Sequence, residues 1–573
     1  MTVTRAGIWQ GMRRNIHLAK GNRKAVILMM SVAVLASARL PLAAQNASIT
    51  GVIRNAAGEA VAGALVKVRS EGLGLGFMVV SQEQGRYSTP NLIPGKYTAQ
   101  AFGGDSQSAP MEPVEIGNGQ QRKLDLVLNT ALKVPPREKR LVDADYAKLL
   151  PEGPAQRVVA GKCAFCHSLL DVMSARKTPE KWKETYERMY DDLYGMRKPI
   201  VAQSNEDQEN AVVLDYLSKN FGPNTPQDPR VVSQWFLQPG GPSHPNRNLP
   251  ATLLKGAAAK FVAMEFSLPP GSMPHDIAVD SQGIAWVSER NTGMLGRFDP
   301  ASMTYTRTAS PPGKTAKFQL DSVAVDPQGQ VWFVDDGPNA RMLQFNPESK
   351  AFNTYPIPDY HFPVPDEGGA RMATLRFLNG DVWATGVTSQ RILRLDPSTR
   401  KFIVYSVPRG SAPYGLAIGG DKLLWYAARI ANVVVRLDAS TGKLTRHDSP
   451  TLRSSLRGLA VDSEGNLWAA ATESGKLVKV DYRTGAVTEY APPSEDSGPY
   501  SIDVDTKRNL VWFSEIYSDK IGRYDPASNT FLEFPQPMAD SDVRRIEIDR
   551  SRPNRVWWAS SHGDKIGYIE VVE

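Results

Sequence analysis

From about residue 260 to the end of the chain, apolar and polar residues follow one pattern that repeats every forty to fifty residues. Each unit has an apolar run ending in Asp, a Gly-containing turn, a second run carrying a Trp, and a third run of the form Ile-Leu-Arg-Leu-Asp-Pro. The Trp falls once per unit, at Trp286, Trp332, Trp383, Trp425, Trp468, Trp512 and Trp557. One such unit leaves an apolar face open and has to stack on its neighbours, so the pattern predicts a seven-bladed β-propeller over residues 260–573. Complete units end with an outer strand and a Pro, but the last unit stops short of one. The missing strand stands ahead of the first unit, between Ala259 and Pro270. Its pairing with the last blade is predicted to close the ring and remove a free sheet edge.

Upstream, residues 45–130 alternate apolar and polar positions, with Val52, Val66 and Val68 in strand-like runs. Turns are predicted at Asn55 to Gly58, Gly85 to Tyr87 and Pro94 to Tyr97, which reads as a small β-sandwich. A charged linker with Pro135-Pro136 leads to helical spacing over 142–222, seen in Trp182, Tyr186, Met189 and Leu193 and again in Val212, Val213, Tyr216 and Leu217. A Pro-rich linker follows over 223–259. The expected fold class is therefore multidomain and mainly β: a small β-sandwich, a helical domain, then the propeller.

Charge changes this picture at one end only. The chain carries a formal +7, but the first 44 residues hold seven Lys and Arg and no acid, and the remainder balances at 60 of each sign. The basicity therefore gives no reason to expect nucleic-acid binding. A cationic stretch, an apolar run from Ala25 to Ala36 and small residues at Ala36-Ser37-Ala38 or Leu42-Ala43-Ala44 are the parts of a secretory signal, assigned to residues 1–44. An uncleaved anchor is the competing reading. The run is shorter than the ~20 residues a membrane span needs. A periplasmic or secreted protein with no membrane span after signal removal is expected.

The only two cysteines of the chain are Cys163 and Cys166, with His167 directly after. Two thiols at this separation can add across the two vinyl groups of haem, and the adjacent imidazole then lies under the iron. The string predicts one covalent haem c, with His167 as an axial ligand, and export agrees with it. A redox disulfide and a structural disulfide are the alternatives: the first belongs in a βαβ context that the sequence does not show here, and the second leaves His167 unexplained. The segment Thr178 to Met189 resembles cytochrome c domains of multidomain exported proteins, in which a Trp and then an Arg-Met pair follow the haem string. On this sequence those positions are Trp182, Arg188 and Met189. The resemblance implies Met189 as sixth iron ligand, with Met196 its main rival and Met173 also at hand.

Two further resemblances stand on longer strings. Ile49 to Val68, Gly85-Arg86-Tyr87, Leu92 to Gln100 and Leu124 to Asn129 together resemble the carboxypeptidase regulatory-like family, a sandwich module without catalytic residues. The units His275 to Pro300, Pro413 to Asp438 and Ser501 to Pro526 resemble the virginiamycin B lyase (streptogramin lyase) family. That family opens a depsipeptide ring by elimination, using a His general base and acids that hold a divalent metal at the central channel. The resemblance implies His275 as base and places Mg2+ at the channel. Glu289 and Glu515 would be the catalytic acids, with Asp335 at the matching place in the second unit. The family's Glu-x-His string is broken, because Met273 stands two residues before His275. The other units place Asp321, Met372, Tyr414, Arg457, Tyr500 and Arg544 at the His position. Four functions are open at this level. They are an electron-transfer protein with a redox partner and a ligand-binding propeller, a propeller dehydrogenase passing electrons to its own haem, a metal-dependent lyase, and an interaction scaffold.

Overall fold

A computed structural model of the chain describes residues 47–132, 140–141, 143–163, 169–194, 203–235, 248–358, 372–387, 389–408 and 410–572. The first blade runs through strands Pro274–Val279, Ala285–Glu289, Met294–Asp299 and Thr304–Ala309, each antiparallel to the next. Five more four-stranded sheets repeat this order, with innermost strands Leu320–Val325, Met372–Leu378, Pro413–Ile418, Leu456–Val461 and Pro499–Asp505. The seventh blade is Val543–Ile548, Arg555–Ser560 and Lys565–Val571, completed by Phe261–Ser267. That last strand pairs antiparallel with Lys565–Val571 through seven residues, so the chain closes its own ring as its pattern predicts.

The repeat's Asp and Trp have a shared structural reason. In the first blade the Asp280 Oδ1 accepts the backbone N–H groups of Gln282 and Ile284, shaping a turn in which Gly283 sits at φ +80. The Asp280 Oδ2 accepts the Trp286 indole N–H at 3.0 Å. Trp332, Trp425 and Trp468 donate likewise to Asp326, Asp421 and Asp462. Those four indoles are thereby satisfied, whereas the indole N–H groups of Trp383, Trp512 and Trp557 are buried without an acceptor; the apolar bodies of all seven fill the space between blades and are at most 3% exposed. Burial of that size contributes about 4–6 kcal/mol per Trp before entropy is counted.

The N-terminal region is a β-sandwich. Ser48–Asn55 pairs with Arg86–Ser88, Gln121–Lys123 and Leu126–Leu128 in one sheet; Leu65–Ser70, Leu75–Val80 and Gly95–Gly103 form the centre of the other. The predicted turn at Pro94 gives way to a strand already at Gly95. Unforeseen by its alternation, the second sheet does not end at Leu75–Val80. That strand pairs with Phe261–Ser267, so sandwich and seventh blade share one ten-stranded sheet.

Among the described residues six helices occur: α1 Asp143–Leu149, α2 Gln156–Lys162, α3 Leu169–Ser174, α4 Pro179–Tyr194, α5 Gln203–Asn220 and α6 Pro229–Trp235. They enclose a core that includes Tyr146, Val159, Leu169, Trp182, Tyr216 and Val231. The α6 helix falls in the stretch expected as linker, and Val231 ties it to that core. No described helix is long and apolar enough to cross a membrane.

Candidate functional site

The inner strands of the seven blades stand side by side around the propeller axis, each starting at the same end. Register identifies equivalent positions. Pro274 pairs with Glu289, Leu320 with Asp335, Met372 with Gly386, Pro413 with Ala428, Leu456 with Ala471, Pro499 with Glu515 and Val543 with Ser560. The next residue of each inner strand then forms a ring at the channel mouth: His275, Asp321, Ala373, Tyr414, Arg457, Tyr500 and Arg544. Met372 does not belong to it. Counting back from the blade Trp places it there, but from Phe377 to its partner Val382 the third blade's hairpin is one residue shorter than the first blade's from Val279 to Ala285. Met372 is fully buried in the blade core instead.

Contacts across the axis show that the ring converges. The Tyr414 and Tyr500 hydroxyls, two blades apart, lie 2.5 Å from one another, and their rings meet at 87°. Between them the Arg457 guanidinium sits 4.4 Å from the Tyr500 ring centroid and 5.6 Å from that of Tyr414. Burial alone would raise the Tyr500 phenol; the charges of Arg457, Arg544 and His275 overcome it and bring it down to about 8. Burial and the Tyr500 oxygen push Tyr414 well up, so Tyr414 keeps its proton and donates it to Tyr500 when Tyr500 ionises.

On the opposite side His275 Nδ1 lies 3.0 Å from Asp276 Oδ1 and 2.6 Å from Asp321 Oδ1. Burial opposes a charge on this ring, but Asp321 and Asp276 outweigh it and hold the imidazole at about 10. Asp321 also takes Arg290 at 3.0 Å, and its carboxyl stays well below the usual range despite burial. Asp336 is buried beside this pair. Burial first, then the Asp321 charge, pushes its carboxyl up to about 8, and its Oδ2 accepts the Met372 N–H at 2.8 Å.

Glu289 is placed elsewhere. Its carboxylate runs outward along its own blade to Arg307 at 2.6 Å and the Tyr305 hydroxyl at 2.9 Å, over Gly296, where a side chain would collide with the Tyr305 ring. Asp335 is likewise bound to Arg341 and Asn339. Glu515 is buried and accepts the Ser518 hydroxyl at 2.5 Å. The structure therefore brings together His275, Asp321, Tyr414, Arg457, Tyr500 and Arg544, and leaves Glu289 in a separate ion pair.

Several mouth residues escaped sequence reasoning: Arg290, Asp336, Arg429, Glu473, Tyr517 and His562. All follow the second strand of a blade, four or five residues after its Trp. Antiparallel pairing returns that loop to the end where the inner strand begins, so the same count applied there finds them. His562 and Arg544 share Asp542, at 2.6 and 3.0 Å. Arg140 has no such signal. It comes from the charged linker, pairs with Glu473 at 2.9 Å and stacks 3.9 Å over the Tyr517 ring.

In the helical region Cys163 lies at the C-terminal end of α2, half-buried against the helical core. Cys166, His167 and Met196 lie outside the described residues. Met189 belongs to α4, with its side chain outside them.

This geometry defines a β-propeller with a polar, charge-dense mouth, joined edge to edge with a β-sandwich. The virginiamycin B lyase family model matches residues 321–573 and the carboxypeptidase regulatory-like domain model matches residues 48–129. The C-terminal region is thus a virginiamycin B lyase-like propeller and the N-terminal sandwich a carboxypeptidase regulatory-like domain. Among solved structures, virginiamycin B lyase from Staphylococcus aureus is 23% identical, with 55% of this chain and 100% of that chain covered and a TM-score of 0.48. A streptogramin B lyase is 25% identical over 56% of this chain and 100% of that one, with a TM-score of 0.49. No curated protein matches.

Proposed function

We propose that this chain is an exported c-type haem protein that exchanges electrons with a partner protein and whose propeller binds a small ligand at its channel mouth. The observation that carries the propeller half is the clamp on His275, whose Nδ1 lies 3.0 Å from Asp276 Oδ1 and 2.6 Å from Asp321 Oδ1. Held by two carboxylates as an imidazolium, His275 is a donor and cannot take a proton near neutral pH. A mouth built this way suits binding better than base-driven elimination. The haem half rests on Cys163, Cys166 and His167. The half-buried, apolar setting of Cys163 fits a porphyrin edge. Cys163 and Cys166 would hold the haem and His167 and Met189 its iron, which supplies one-electron redox chemistry when bound.

The test is a pyridine haemochrome spectrum and an equilibrium redox titration of protein exported with the c-type maturation machinery. One covalent haem with a reversible couple is expected, abolished by Cys163→Ala. Colourless mature protein, or a haem without a reversible couple, would end this reading.

The lyase family match favours a second reading, a metal-dependent eliminase of the streptogramin lyase type. His275, Asp276 and Asp321 offer donor atoms within 4.8 Å of one another. As arranged, the set does not suit Mg2+, because the imidazolium and Arg290 already neutralise both carboxylates. Mass spectrometry of a streptogramin B depsipeptide incubated with protein and Mg2+ separates the readings. No ring opening is expected; opening that His275→Ala abolishes would establish the lyase.

A further inference from the structure

Apart from Asp336, whose raised carboxyl accepts the Met372 N–H, the mouth carboxylates described above are matched by cations. Asp276 and Asp321 share His275 and Arg290, Asp542 holds Arg544 and His562, and Glu473 holds Arg140. Among the described residues two mouth guanidiniums have no acid partner of their own: Arg457, on the inner strand of the fifth blade, and Arg429, in the loop after the second strand of the fourth. Arg457 touches only the faces of Tyr414 and Tyr500, and its buried Nε finds no acceptor. Arg429 Nε donates to the Ser455 hydroxyl at 3.3 Å, two residues before Arg457. Both are only partly buried. Two guanidiniums this near each other, with only the Arg140-paired Glu473 as a nearby acid among the described residues, repel one another. The effect is visible on Arg429, which Arg457 first and burial second bring down to about 10.

An anion between them would remove that repulsion and satisfy the orphaned donor, while the adjoining Tyr500 hydroxyl offers a further contact. We propose that the channel mouth binds an oxyanion group of a small organic ligand between Arg429 and Arg457, beside the Tyr414–Tyr500 pair. This rests on the reading of the mouth as a ligand site and names the ligand's chemistry. Carboxylate and phosphate share that chemistry, and the planar guanidinium fork accepts either.

The test is isothermal titration of the mature full chain with succinate and with inorganic phosphate, next to a small-molecule panel of neutral and cationic compounds screened by thermal shift. At least one oxyanion is expected to bind, and Arg457→Met and Arg429→Met are each expected to weaken it at least tenfold. Arg457→Lys should keep part of the affinity. Arg429→Met serves if Arg457→Met fails to fold, because Arg429 lies outside the ring strands. The relative affinities of the two anions assign the group. Oxyanion binding unchanged in both Met variants overturns the inference, as does binding of neutral or cationic compounds alone, which leaves the ligand-site reading standing. If no compound of any class binds, both fall.

Discussion

Tyr500 shows how little of a side chain's behaviour resides in its own chemistry. Burial would keep its phenol protonated far above neutrality. Two guanidiniums and the His275 imidazolium reverse that, and Tyr414 stands ready with a proton for the phenolate. The difference spectrum of tyrosine ionisation near 295 nm is therefore expected to contain one group titrating at about 8, absent in Tyr500→Phe. Arg457→Met removes the cation stacked on the ring, so burial prevails and the same group should move above the ordinary tyrosine value of about 10. A Tyr500→Phe protein that retains the low titration would show that the phenolate belongs elsewhere. Glu289 is the opposite case: an acid at a position that resembles a catalytic one, wholly committed to Arg307 and Tyr305 within its blade.

At the scale of elements, the closing strand Phe261–Ser267 does two jobs. It completes the seventh blade on one edge and takes up the sandwich strand Leu75–Val80 on the other. Such close pairing needs Gly567. A Cβ there would stand 2.0 Å from the Met264 carbonyl oxygen and 2.4 Å from the Trp558 ring. Gly567→Ala is expected to destabilise by at least about 1–3 kcal/mol, measured by denaturant unfolding, and to release the sandwich to limited proteolysis at the same time. Loss of stability without that release would mean the two edges are independent. The closure itself was legible, because a strand missing at one end of a repeat has to be supplied by the other. The sandwich pairing was not, since alternation reports which face is buried and says nothing about which edge is covered. The same limit applies to the site. Counting eleven residues back from each Trp finds His275, Asp321, Tyr414 and Arg457 but fails in the other three blades: a shorter hairpin moves the ring position from Met372 to Ala373, and longer hairpins move it to Tyr500 and Arg544, which only the strand pattern finds. Arg140 could not be found by any count, since its approach to Glu473 is a long-range contact.

For the molecule as a whole, the sandwich junction and the channel mouth impose opposite demands on pH. At the junction Lys67 is pressed towards Arg69 and Lys565, which share Glu265, and lies over the Phe102 ring. Burial, then the Arg69 charge, lowers its ammonium from 10.5 to about 7. Between those values the unfolded chain holds a proton that the native protein lacks, so this group makes stability rise with pH across that window. His275 does the reverse. Its native value is about 10 against 6.5 unfolded, so its contribution is complete below 6.5 and is lost as pH rises through 10. The two slopes overlap, each approaching about 1.4 kcal/mol per pH unit at most, and in the intact protein they work against one another. Denaturant unfolding at pH 6.5, 8.0 and 9.5 should separate them. Relative to the parent, Lys67→Met is expected to lose stability progressively as pH rises, because it lacks the alkaline gain. His275→Gln should show its largest deficit at pH 6.5 and recover towards pH 9.5. Parallel profiles for parent and both variants would mean that neither group titrates where its neighbours place it, and the clamped imidazolium on which the reading of the mouth depends would have to be given up.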